Sequence, residues 1–250
     1  MTRIPEPAAR LSALQRQIVG CERCPRLIEY CRQVARVKRR MYRDEAYWAK
    51  PVPGFGDPRA ELLILGLAPG AHGSNRTGRM FTGDRSGDFL YGALHEAGFA
   101  NQPVSRRRND GLRLRNCYIT AAVRCAPPGN KPRRMELANC QPYLEEELRL
   151  LRRVRAVLCL GRIAFDTYLR VAYSSAAASP QAQKSSLSAY LPSRSSLRFA
   201  HGASYDLPFG LPRVFVSYHP SQQNTQTGRL TPEMMRSVIA NVRRFLESAP

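Results

Sequence analysis

Leu62-Leu63-Ile64-Leu65-Gly66-Leu67-Ala68-Pro69-Gly70 is an apolar run that stops abruptly in glycines and a proline. Leu62–Leu67 is nearly continuous in branched apolar residues, the pattern of a strand covered on both faces. Cys117–Val123, Ala156–Leu160 and Val214–Tyr218 share that character. Helical patterns lie between them. Ser86–Ala97 puts Phe89, Leu90, Ala93, Leu94 and Ala97 on one face and stops at Gly98, a residue suited to a helix C-terminus. Arg134–Arg153 carries Leu137, Leu144, Leu148 and Leu151 at helical spacing. Thr231-Pro232 is a cap and first-turn pair opening a last helix with Met235, Val238, Ile239, Val242 and Phe245 inward. Strand–helix alternation implies right-handed crossovers, a parallel sheet and helices on both sides: an α/β sandwich. Ligands of such sheets bind outside the carboxyl ends of the strands. The loops after Leu67, Val123, Gly161 and Tyr218 are therefore the expected seat of the chemistry.

The whole chain supports a folded, basic protein. It has 250 residues, with 39 Lys+Arg against 19 Asp+Glu and a formal charge of +20. A chain this long can bury a sizeable core without a disulfide scaffold. At 43% apolar and 23% charged residues it is no disordered basic tail. Its apolar runs are far shorter than the roughly 20 residues of a membrane span. The start has no continuous hydrophobic stretch, so no secretory signal is read there. A cytoplasmic, nucleoid-associated location is expected. The charge calls for an anionic partner, and nucleic acid fits best, since neutralising phosphates releases counterions. The basic runs are Arg36–Arg43, Arg106–Arg108, Arg113–Arg115, Lys131–Arg134 and Arg152–Arg155. A Ser/Ala-rich stretch, 174–198, reads as an insertion in an otherwise single domain.

Seven cysteines in a reducing compartment argue for metal or cluster ligation rather than disulfides. Cys21 and Cys24 form a C-x-x-C that brings two thiolates to one site, and Cys125 and Cys140 would complete four. Spacing leaves tetrahedral zinc, a [4Fe–4S] cluster and four unrelated buried thiols all open. Cys31, Cys117 and Cys159 read as core.

The segment from Gly66 to Asp84 carries glycines that permit close backbone approach, two arginines and one aromatic. It lacks Gly-Lys-Ser/Thr, and no helix is expected directly after its glycines, so neither nucleotide fingerprint applies. Gly66–Gly70, Gly78-Arg79-Met80-Phe81-Thr82-Gly83, Cys125-Ala126-Pro127-Pro128 and His219-Pro220-Ser221 closely resemble the iron–sulfur uracil-DNA glycosylases, in their family-five (type-b) branch. The match runs in register from Cys21 to the last helix.

The resemblance implies a three-layer α/β/α sandwich with a central four-stranded parallel sheet. It also implies a helical cluster-binding segment over residues 8–50 and a [4Fe–4S] cluster on Cys21, Cys24, Cys125 and Cys140. The activity it implies is hydrolysis of the N-glycosidic bond of deaminated bases in DNA: uracil, hypoxanthine and some modified pyrimidines. A monomer without a lyase lysine is expected. Other branches carry a carboxylate or amide where Leu67 and Ala68 stand, and an Asn where Ala121 stands. Both losses also occur in the type-b branch and imply a roomier pocket.

Such an enzyme must flip the nucleotide, hold the base, stabilise the departing charge and supply water. Phe81 would stack on the base, and His219 would donate to its O2. Asp84 is either the helix N-cap or the group that orients water. Asn130 reads as catalytic or as a turn residue. Gly66, Ala68, Pro69, Gly70, His72 and Ala121 would line the base pocket. Asn75, Arg76, Arg79, Ser221, Gln222, Asn224 and Arg229 would contact DNA, the last four on a loop entering the minor groove. His95 and His201 read as surface. Two rival readings remain: a non-catalytic iron–sulfur nucleic-acid-binding or redox-sensing module, and a zinc-bound structural DNA protein.

Overall fold

The computed structural model describes residues 7–177 and 197–248. Helices α1 (Pro7–Val19) and α2 (Pro25–Val37) precede a two-residue strand β1 (Phe55–Gly56) and β2 (Leu62–Gly66). After β2 come a single turn α3 (Ser74–Thr77), helix α4 (Arg85–Glu96) and β3 (Cys117–Ala121). The chain continues through α5 (Arg134–Leu150), β4 (Ala156–Leu160) and α6 (Arg162–Ala177). It ends with β5 (Ser204–Tyr205), β6 (Arg213–Ser217), α7 (Gln222–Gln226) and α8 (Pro232–Glu247).

The sheet order is β1-β3-β2-β4-β6-β5. The inner four strands are mutually parallel, with Leu62 opposite Cys117 and Ala156, and Ala156 opposite Arg213. These are the four apolar runs of the sequence. The outer two pair antiparallel to β3 and β6. At two residues each they are too short to leave a periodic signal.

Alternate residues of the strands feed opposite cores, which is why both faces had to be apolar. Leu62, Ile64, Ile119, Leu158 and Phe215 pack under α4 and α8. Leu63, Leu65, Tyr118, Val157 and Val216 pack under α1, α5 and α6. The three layers expected from the sequence are present. The capping residues act as anticipated: Thr231 accepts from the Met234 N–H (3.3 Å), and Gly98 takes φ 76° after α4. Helix α3 corrects one reading, since a turn of helix does open directly after Gly73; at four residues it lies below any periodicity. The expected insertion at 174–198 begins as the end of α6, and residues 178–196 lie outside the described residues.

An unanticipated buried network braces the sheet. Arg124 is 1% exposed, and its guanidinium meets Glu147 at 2.6 Å. Glu147 also accepts from Thr120 Oγ1 (2.7 Å), while Gln15 donates to Tyr118 Oη (3.1 Å). The network ties β3 to α5 and α1. A buried pair with every carboxylate oxygen bonded specifies a geometry more than it adds stability. Among the described residues no helix is long and apolar enough to cross a membrane.

Candidate active site and cysteine pocket

The carboxyl edge of the four parallel strands gathers the candidate residues. Phe81 sits at φ 51°, a left-handed conformation that a bulky residue adopts only when its surroundings impose it. Two contacts impose it here. Tyr91 Oη donates to the Met80 carbonyl at 2.8 Å, and Gly87 lies so close to the Phe81 carbonyl that a Cβ there would overlap it. The Phe81 ring is thereby laid over the end of β2, where a Cβ on Gly66 would meet ring carbons at 3.0 Å. It faces the His219 ring at 5.9 Å between centroids and 29° between planes.

His219 follows β6. Gly161, at the end of β4 with φ 92°, lies beside it: a Cβ there would meet the His219 Cβ at 3.2 Å. The Asn224 amide donates to the His219 carbonyl at 2.8 Å, fixing its backbone. Burial depresses the imidazole to about 4, so the ring is neutral at physiological pH. A neutral imidazole still has one N–H to donate.

Asp84 caps α4 with one carboxylate oxygen and turns the other into the loop after β2. Oδ1 accepts the Gly87 N–H at 3.0 Å, capping α4. Oδ2 faces the other way, onto the loop after β2. A Cβ on Gly70 would meet it at 2.9 Å and one on Gly73 would overlap it. The two glycines are what admit a carboxylate into that loop. Burial raises the carboxyl above its usual range, against the lowering effect of the Gly87 and Ser86 N–H groups and Arg76. The helix N-terminus favours the ionised carboxylate, but desolvation outweighs it.

Several expected roles change. Arg79 is 5% exposed and Arg76 6% exposed, so neither guanidinium reaches a DNA surface. Arg79 donates to Asp110, Ser105 and the carbonyls of Arg107 and Arg108 (2.5–2.7 Å). Arg76 pairs with Glu45, donates to the His72 and Gly83 carbonyls (both 2.8 Å), and stacks on Tyr42. Asn75 is fully buried, donating to the carbonyls of Cys31 and Ala71 (both 3.3 Å). These three hold the loop rather than DNA.

The segment after His219 is helical, not a loop. Ser221 caps α7, Asn224 is spent on His219, and Arg229 lies over Tyr218 at 4.7 Å. Gln222 is exposed on this helix and stays available to DNA. Asn130 occupies an exposed turn at φ 57°, a conformation Asn tolerates, and no hydrogen bond joins it to Phe81, His219 or Asp84. The turn reading fits it. His201 is half-buried, accepting the Tyr218 N–H at 3.2 Å, which corrects its surface assignment. Ala121 closes β3 next to Gly66 and is buried; Pro69 and His72 are half-buried or buried in the loop. The His72 Nδ1 meets Tyr47 Oη at 2.9 Å, a partner with no sequence signature.

Beside this edge lies a buried cluster of cysteines. Cys24, Cys125 and Cys140 are buried together, with Cys21 half-buried in the same neighbourhood. Cys31, read as plain core, joins them, its thiol sharing a hydrogen bond with Cys125. Burial pushes the Cys24 and Cys140 thiols up, Cys140 to about 11. None of the described cysteines is in a disulfide. Among the described residues no three His, Cys, Asp or Glu side chains converge on the point a single ion would occupy. Ala68 and Ala71 pack against these cysteines.

Phe81, the neutral His219 ring and the Asp84 carboxylate thus lie toward the carboxyl edge of a three-layer α/β fold. The chain belongs to the uracil DNA glycosylase superfamily, whose family model matches residues 53–243. A type-5 uracil-DNA glycosylase of Thermus thermophilus is 49% identical over 233 residues, covering 93% of this chain and 97% of its own. Its counterpart in Mycobacterium leprae is 47% identical over 239 residues, 95% of this chain and 96% of its own. The one from Pyrobaculum aerophilum is 41% identical over 239 residues.

Proposed function

We propose that this protein is a DNA-repair uracil-DNA glycosylase that flips a deaminated nucleotide and hydrolyses its N-glycosidic bond. The observation that carries this reading is the convergence of Phe81, His219 and Asp84 at one sheet edge, in a chain of this superfamily. The names of the type-5 relatives support uracil as the base removed. Hypoxanthine and modified pyrimidines extend the range. No carboxamide stands at Ala121 to demand one pattern of base edge, so stacking on Phe81 supplies most of the grip.

In the reaction the C1′–N bond breaks and its electron pair leaves with the base. His219 donates its N–H to the base oxygen on which that charge gathers. Asp84 orients the attacking water through Oδ2, accepts its proton and opposes the positive charge of the sugar. Water contributes the new C1′–O bond, so no covalent enzyme intermediate is needed. Single-turnover base release from duplex DNA bearing one uracil or one hypoxanthine tests the reading; no release from either would end it. Phe81→Leu is expected to weaken the grip on the flipped base by about 1–3 kcal/mol, roughly 5- to 150-fold in the half-saturating enzyme concentration. An unchanged half-saturation would remove Phe81 from the base platform.

A [4Fe–4S] cluster on Cys21, Cys24, Cys125 and Cys140 is part of the proposal. Support comes from the donor set: Cys24, Cys125 and Cys140 lie in one buried cluster with Cys21 nearby on the turn before α2, none of them in a disulfide, and four thiolates are the number such a cluster takes. When bound it would act as a structural pin among the segments that carry these cysteines, since base excision transfers no electrons. Cys140→Ser is expected to lower the bound iron and the visible absorbance of the purified protein. Zinc in place of iron in the wild type would overturn the assignment. DNA is the partner, and the protein acts as a monomer.

A further inference from the structure

Arg76 and Arg79 are locked inside the protein, yet what Arg79 locks is a run of three exposed arginines. Ser105-Arg106-Arg107-Arg108-Asn109-Asp110 connects α4 to β3. Ser105 is buried, while Arg106, Arg107 and Arg108 are exposed. Four backbone polar atoms of this triplet are fixed by the side chains of Asp110 and Arg79. The Arg106 and Arg107 N–H groups donate to Asp110 Oδ2 (2.7 and 3.2 Å). The Arg107 and Arg108 carbonyls accept from the Arg79 guanidinium, each at 2.7 Å. Arg79 is in turn fixed by Thr82 Oγ1 (3.0 Å) and Ser105 Oγ (2.7 Å).

Two acids of this segment's surroundings are already engaged. Asp110 is taken up by Arg79 and the backbone N–H groups, and Glu45 by Arg76. Arg107 and Arg108 line a cleft of about 230 Å³ with Glu45, Ala46, Arg76 and Thr77. Arg108 lies over Trp48 at 4.3 Å. A third acid, Asp88, lies near Arg106. The surplus is positive.

The triplet also begins at the catalytic edge. The Gly83 N–H donates to the Ser105 carbonyl at 2.8 Å, and Gly83 precedes Asp84. A Cβ on Gly83 would meet the Arg106 carbonyl at 3.2 Å, so glycine there lets the two segments touch.

We propose that Arg106, Arg107 and Arg108 form a preassembled clamp for the backbone phosphates of the DNA strand that delivers the flipped nucleotide. The inference rests on the proposed glycosylase function and adds the surface that grips the substrate. A backbone fixed before binding spares ordering entropy when the guanidiniums engage phosphate. Each phosphate contact contributes about 0.9 to the slope of log binding constant against log salt.

The test is anisotropy titration of a labelled uracil duplex across a salt series. It compares wild type, Arg106→Ala/Arg107→Ala/Arg108→Ala, and Arg16→Ala/Arg152→Ala/Arg153→Ala as a control of equal charge at exposed positions elsewhere. The clamp variant is expected to lose about 2 to 3 units of slope. The control should keep most of the slope. A clamp variant with the wild-type slope, or one matched by the control, overturns the proposal. Base release by wild type is scored separately: excision with an unchanged slope refutes the clamp alone. A reduced slope without excision in wild type refutes the glycosylase reading and leaves a nucleic-acid-binding surface.

Discussion

Asp84→Asn is expected to abolish most uracil excision while leaving the protein as stable as wild type. The two oxygens of Asp84 make this separation possible. Asn caps helices as well as Asp does, so Oδ1 can still accept the Gly87 N–H and α4 keeps its start. Oδ2, against Gly70 and Gly73, loses its charge and its capacity to take a proton. Removing a general base typically costs about 10²–10⁴-fold in rate. Asp84→Ala loses the same activity and about 1 kcal/mol of cap stability besides. The acid side of the pH profile gives an independent reading. The carboxyl titrates above the ordinary carboxylate value, so excision falls as pH drops through that raised value. The limb disappears in the Asn variant. Thermal melts beside single-turnover rates decide the matter, and an Asn variant that still excises leaves Asp84 as a cap alone.

His219→Ala is expected to reduce excision by about 10²–10³-fold, the usual cost of removing one donor from a site that stabilises developing negative charge. DNA binding should persist, because His219 faces Phe81 rather than solvent-exposed cations. The wild-type rate should show no step near 6.5, the usual imidazole value, because burial has lowered this ring to about 4. A neutral donor suits the reaction: a cationic imidazole would cost desolvation before the leaving charge exists to repay it. A rate that rises on protonation near 6.5 would mean that His219 acts as a general acid instead.

How much of this was legible beforehand follows the physics of each element. The four parallel strands announce themselves because burial on both faces demands unbroken apolar runs, and Ala156–Leu160 falls where that rule puts it. Thr231 and Gly98 are readable because caps and left-handed positions restrict residue type. The edge strands β1 and β5 are not, since two residues define no period. Phe81, Asp84 and His219 were nameable only through resemblance. Their convergence depends on a strained backbone at Phe81 and on glycines that make room, which no local pattern encodes. Arg76 and Arg79 misled for a general reason. Arginine in a glycine-rich polar loop has the composition of a phosphate contact, yet the same fork of donors also satisfies buried carbonyls. Their charge belongs to the interior, and the surface charge sits elsewhere, at Arg106–Arg108.

The loop between β2 and α3 has a second neighbour whose importance is mechanical. Its glycines receive the Asp84 carboxylate, while Ala68 and Ala71 rest on the cysteine pocket and Asn75 is bonded to the Cys31 carbonyl. One short segment thus leans on two walls at once. The loop that faces the Asp84 carboxylate is thus packed directly on the buried cysteines, so a change of volume in that wall reaches the loop without passing through the sheet.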